Sequence, residues 1–239
     1  MIEKISFNSR ITEVNSIAMR MLYAYKDSLI HEDQHLDAIM NDAGLLSAKL
    51  GVAINRIKSQ LQLEEKDEQC EQAVYDLYCL LKGFTHHPIP ELQQAAVAIL
   101  EVFDHYGLSN LKESYDIQSS LIHSLLDDLA KPEMQAHLEL LSGAVECMKA
   151  IRLKLQDFET FRLAFESDKI EESTYANASS IKKELIKLIN KQLLVYLKAM
   201  SIVNNNAYCE FTRVVTQIII DNNSNVRRRR EMQPVEIEN

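Results

Sequence analysis

Residues 69–107 read QCEQAVYDLYCLLKGFTHHPIPELQQAAVAILEVFDHYG. Cys70, Ala73, Val74, Leu77, Leu80, Leu81 and Phe84 recur at spacings of three and four, which lines one face of an α-helix with apolar side chains. Leu92, Ala95, Ala96, Ile99, Leu100, Phe103 and Tyr106 repeat the pattern. Between them stands HHPIP. Pro88 cannot continue a helix, and Pro90 followed by Glu91 is a helix start. Gly107 sits where a left-handed residue closes a helix. The stretch is therefore a helical hairpin.

The same periodicity extends in both directions. Downstream, Asp116 is expected to cap a helix carrying Leu121, Ile122, Leu125, Leu126 and Leu129. Lys131-Pro132-Glu133 opens another, which the pattern carries to about Phe165. That exceeds the ~8–20 residues usual for a globular helix, so a kink is expected within it. Ile181, Leu185, Leu188, Ile189, Leu193 and Leu197 line a long helix, and Asn204-Asn205-Asn206 breaks it. Tyr208, Phe211, Val215, Ile218 and Ile219 line the last. Upstream, Ile17, Met21 and Leu22 mark one helix. Leu36, Ile39 and Met40, then Leu46 to Leu61, mark another with fraying near Gly44 and Gly51. The expectation is an all-α protein of seven or eight helices. Short connections make neighbours antiparallel, giving two up-and-down helical-bundle halves, 1–108 and 109–226, followed by a basic disordered tail, 227–239.

Composition excludes several classes. With 5 Gly and 4 Pro in 239 residues, an all-β sandwich or barrel lacks its turn chemistry. No two glycines are closer than seven residues, so there is no Gly-rich phosphate loop. Lys and Arg total 26 against 35 Asp and Glu, a formal charge of -9 that disfavours nucleic acid as the main partner. Arg227–Arg230 is the one basic run. It is read as a solvated end, with a nucleic-acid handle as the weaker alternative. No apolar run is long enough to span a membrane, and MIEKISFNSRITEV is not a secretory leader, so a cytoplasmic location is expected. Cys70, Cys79, Cys147 and Cys209 form no C-x-x-C pair and are expected to be buried free thiols.

One stretch carries the letters of a catalytic motif. His31-Glu32-Asp33-Gln34-His35 matches H-E-x-x-H. On a helix, His residues four apart share a face and can grip Zn²⁺ while the Glu polarises water. Glu64, Glu65 or Glu68 would have to complete the site. The motif falls between two helical patterns, however, and two solvated His at a helix end is the plainer reading. A di-iron bundle needs two Glu-x-x-His motifs, and only Glu32–His35 has that spacing. His86, His87, Asp104-His105, His123 and His137 fall in turns, at helix ends or alone, and no G-x-S-x-G is present. No catalytic, cofactor-binding or metal residue is assigned, and no cofactor is expected.

LLKGFTHHPIPELQQAAVAIL, the ending at Phe103, Asp104, Tyr106 and Gly107, the start at Tyr115-Asp116, and the Asn-rich break before Tyr208 and Phe211 together resemble an all-helical family of gut Bacteroidetes known only as a domain of unknown function. The resemblance covers roughly half the chain and does not extend into the first 60 residues. This chain also lacks the Trp that members often carry, and has Asn205-Asn206 where many have Asn-Gly. The resemblance implies a helical, two-part protein and carries over no functional residue. A duplication is a further expectation, since Ser28-Leu29-Ile30-His31 recurs as Ser120-Leu121-Ile122-His123, and Ile57, Leu61 and Gln62 match Ile151, Leu155 and Gln156. Without a catalytic set, the function read from the sequence is non-enzymatic: a helical interaction or scaffold protein acting on an unidentified protein partner or by self-association. The zinc-dependent hydrolase built on His31, Glu32 and His35 is the alternative.

Overall fold

A computed structural model describes residues 3–28, 30, 33–106, 114–171 and 177–232. These residues are helical nearly throughout and contain no strand. The helices are α1 (Ile11–Lys26), α2 (Gln34–Phe84), α3 (Pro90–Tyr106), α4 (Tyr115–Leu129), α5 (Pro132–Leu140), α6 (Ala144–Glu171), α7 (Ala178–Leu188), α8 (Leu194–Val203) and α9 (Asn205–Glu231). A π-helical turn, Ile189–Leu193, joins α7 to α8 without a break. The described residues thus hold eight helical runs, as the periodicity implies.

Two compact units divide the chain: residues 1–58 with 174–239, and residues 59–173. They are not the sequential halves expected, 1–108 and 109–226. The reason is α2, which continues through Gly44 and Gly51 without fraying and serves both cores. A helical interior tolerates a glycine at about 1 kcal/mol when packing holds its neighbours. The expected boundary at 108–111 lies outside the described residues.

The contiguous unit is built on the hairpin. Val74, Leu77 and Leu81 of α2 pack with Ile99 and Phe103 of α3, all within 1% of full burial. The turn is secured locally: Thr85 Oγ1 donates to the Lys82 carbonyl, and the Ile89 N–H donates to His87 Nδ1 at 3.2 Å. Ile122 and Leu129 of α4, Leu138 of α5 and Ile151 of α6 complete this core. Ser114, rather than Asp116, stands at the cap of α4. The long helix expected from Pro132 is two helices, because Gly143 adopts φ +86 and ends the run between Leu140 and Ala144.

The discontinuous unit joins the two ends of the described chain. Val14, Ile17 and Met21 of α1 and Leu36, Met40 and Leu50 of α2 pack with Ile181, Leu185 and Ile189, and with Phe211, Val215 and Ile219 of α9. The Asn break narrows to one residue: Asn204, at φ -141, ends α8 and caps α9 by accepting from the Ala207 N–H. The expected tail is corrected too. α9 runs through Arg227–Arg230 to Glu231; Arg227 pairs with Glu3 and Arg229 with Glu13, so the basic run is partly committed to the fold. Residues 233–239 lie outside the described residues.

The stretches that suggested a duplication occupy unlike settings. Ser28 follows α1 in a bend, whereas Ser120 to His123 lie inside α4. Ile151 and Leu155 are core residues, while Ile57 and Leu61 are exposed.

Candidate functional site

In the H-E-x-x-H stretch the structure builds a polar network on Asp33, a residue the motif leaves free. Asp33 precedes α2 and accepts from the N–H groups of His35 and Leu36 at 3.1 and 3.0 Å, capping the helix. Its carboxylate also accepts from Tyr196 Oη at 2.8 and 2.9 Å and from Tyr208 Oη at 2.5 Å. The start of α2 is thereby tied to α8 and α9. Burial alone would raise the Asp33 pKa, but the hydroxyl of Tyr208, the Leu36 N–H, the hydroxyl of Tyr196 and the His35 N–H hold it below the ordinary value. The same bonds, together with burial, push the Tyr208 and Tyr196 hydroxyls up. His35 lies against the Tyr196 ring, centroids 4.9 Å apart. Tyr25 donates to Asp37 at 2.7 Å and packs on Phe211.

His31 and Glu32 lie outside the described residues. α2 begins at Gln34, so the described part of the motif is a helix start. Glu64, Glu65 and Glu68 stand many turns later in α2 and belong to the other compact unit. Among the described residues, no three His, Cys, Asp or Glu side chains converge so as to hold a metal ion. The signal that identifies Asp33 was present in the sequence: an Asp three residues before Leu36, at the foot of the Ile39 and Met40 face.

A cleft of about 390 Å³ between α1 and α9 is lined by Tyr23, Ala24, Ala207, Phe211 and Val214 together with the polar Asp27, Ser28, Asn206 and Glu210. Tyr23 is 72% exposed at its edge. Ile202 and Val203, at 80% and 77%, end α8 just before Asn206.

The contiguous unit carries a second polar lane. Asp67 has its pKa pushed up to about 6 by burial and by the charges of Glu71 and Glu68, against a lowering hydrogen bond from Gln118. Its Oδ1 is buried and unpartnered. His123 binds Glu159 at 2.8 Å, and Arg162 bridges Asp116 and Glu166. Cys70 is buried with its thiol pushed up to about 12, again first by burial. All four cysteines are free, but Cys79 and Cys209 are exposed and Cys147 is half-buried, which corrects the expectation that all are core thiols.

No helix among the described residues is long and apolar enough to cross a membrane. The features define an all-helical protein whose discontinuous unit holds a capped, tyrosine-clamped helix start. A family described as "Family of unknown function (DUF6261)" matches residues 61–218, about two thirds of the chain, and the chain belongs to that family. The stretches that carried the resemblance, from Leu80 to Phe211, all fall within the matched residues. No curated protein and no solved structure matches the chain.

Proposed function

We propose that this chain is a non-enzymatic interaction protein that docks a partner helix, or a second copy, on the cleft between α1 and α9. The observation that carries the reading is Tyr23, an aromatic left 72% exposed in a cleft whose lining pairs the apolar Phe211 and Val214 with the polar Asp27 and Glu210. Amphipathic helices dock by laying an apolar face into such a groove, and aromatic anchors dominate the energetics of interfaces. A cytoplasmic, bacterial setting belongs to the same proposal; it is supported by four cysteines left unpaired, as a reducing compartment leaves them, and by the resemblance to the gut family.

A photo-crosslinker placed at Tyr23 in the producing cell, read beside sedimentation of the purified chain, tests this. The expected result is one dominant crosslinked species, either a partner or a second copy, lost in a Val214→Asp/Glu210→Arg variant that remains folded. Absence of any crosslink, with a monomer at all concentrations, overturns it. About one equivalent of bound zinc, lost in a His31→Ala/His35→Ala variant, would move the assignment to the hydrolase.

A further inference from the structure

Residues Glu3–Ser9 form a non-helical strap, and side chains rather than a helix or sheet satisfy its backbone. Asn190 accepts from the Ile5 N–H at 2.8 Å and donates to the Ile5 carbonyl at 3.1 Å. Asn223 accepts from the Ser6 N–H at 3.1 Å and donates to the Lys4 carbonyl at 2.9 Å. Lys182 donates to the Phe7 carbonyl. Both asparagines are buried, and Asn190 belongs to the π turn, a distortion often found at functional positions. The strap commits few side chains in return. Within Glu3–Ser6 the one buried side chain is Ile5, 1% exposed; Glu3 is exposed but accepts from Asn223 Nδ2 at 3.1 Å, and of the rest Ser9 is buried while Lys4, Phe7 and Asn8 are exposed. The flanking pair Arg227–Glu3 is exposed on both sides and contributes little.

This is how a groove holds a peptide: main-chain groups paired by fixed polar side chains, with one anchor in an apolar pocket. Segments with so few buried side chains open at lower cost than the whole fold. The link to α1 supplies a hinge at Phe7 and Asn8, while Ser9 stays pinned by Asn222 at 2.8 Å.

We propose that the groove between the π turn and α9 accepts the strap of a second copy of this chain, so that two copies exchange residues Glu3–Ser6 reciprocally. The occupant's chemistry is fixed by the resident one: an acidic residue, then any residue, then an aliphatic anchor and a small polar residue. Exchange of an identical element is a low-cost route to a two-fold dimer, because each groove regains the contacts it gave up. The inference stands apart from the α1–α9 cleft, and each can fail alone.

Complementation between two full-length variants tests it. An Ile5→Asp chain keeps its groove but loses its anchor. An Asn190→Asp/Asn223→Asp chain keeps its strap but loses the groove's donors. Each alone is expected to be monomeric, and an equimolar mixture to form a heterodimer by native mass spectrometry, at least tenfold enriched over either homodimer. Two folded variants that stay monomeric together overturn the proposal. If either variant fails to fold, hydrogen exchange of the Ile5 and Ser6 amides in the unaltered chain decides. Exchange through local opening, at least a hundredfold faster than the core of α9, supports it, whereas exchange only with global unfolding makes the strap a permanent part of the core and overturns it.

Discussion

Asp33 concentrates more of the fold's specificity than any position its motif would single out. Four donors converge on one carboxylate: two N–H groups and two hydroxyls. Its folded pKa lies below the unfolded value, so its contribution is present above that value and is lost as pH falls through the folded one. Asp33→Asn is expected to cost about 1–2 kcal/mol at pH 7, since bonds to a charged acceptor become neutral ones. The cost shrinks below about pH 4, as urea titrations at several pH values would register. Asp67 has the opposite sign. Its folded pKa of about 6 lies above the unfolded value, so the ionised form costs stability once pH rises through that range. Asp67→Asn is expected to stabilise the chain at pH 7.5 by about 1 kcal/mol, a figure discounted because the carboxyl is partly solvated. The gain vanishes near pH 3.5, and an unchanged or lower melting temperature at pH 7.5 contradicts it.

At the scale of elements, most helices were legible and their joints were less so. The hairpin is written in the chain as far as Tyr106, because Pro88 and Pro90 stop one helix and start the next whatever surrounds them; the expected closing Gly107 lies outside the described residues. Leu185, Ile218 and Phe211 also announce their core faces. Gly143 was overlooked because Leu140, Leu141 and Ala144 keep an apolar rhythm across it, and a positive φ leaves no trace in periodicity. The π turn is equally silent, since Leu185, Ile189, Leu193 and Leu197 keep spacings of four that an ordinary α-helical stripe also shows. The Tyr196–Asp33–Tyr208 network was not legible at all: its partners are 163 and 175 residues apart, a distance that no local rule spans. Two glycines separate joint from interior. Gly143→Ala meets only an ordinary contact with Leu80, so its cost is backbone strain, about 1 kcal/mol or more. Gly83→Ala, inside α2 with nothing within 4 Å, is expected to stabilise by about 0.5–1 kcal/mol. Thermal melts of the pair should move in opposite directions.

On the scale of the whole molecule, each compact unit has its own buried cluster. Truncating one core should therefore be felt mainly within it. Leu185, fully buried in the discontinuous unit, is expected to cost about 2–5 kcal/mol as Leu185→Ala. Hydrogen exchange should then accelerate together in α1, α7 and α9, helices from opposite ends of the chain, while α3 to α5 keep their protection. Equal acceleration everywhere would show one cooperative block. Sequence order suggests halves divided near 108, whereas the contacts group residues 174–239 with 1–58.

The strap's partners impose an order on synthesis. Ile5 leaves the ribosome early, yet the side chains that hold its neighbourhood, Asn190, Asn222 and Asn223, are made some two hundred residues later. At roughly 5–20 residues per second, that is a wait of at least ten seconds. The contiguous unit has all its residues by position 173 and can condense in the meantime. The nascent strap must spend that interval without its hydrogen-bonding partners, and α1 with only its α2 contacts, before α7 and α9 arrive to close the core.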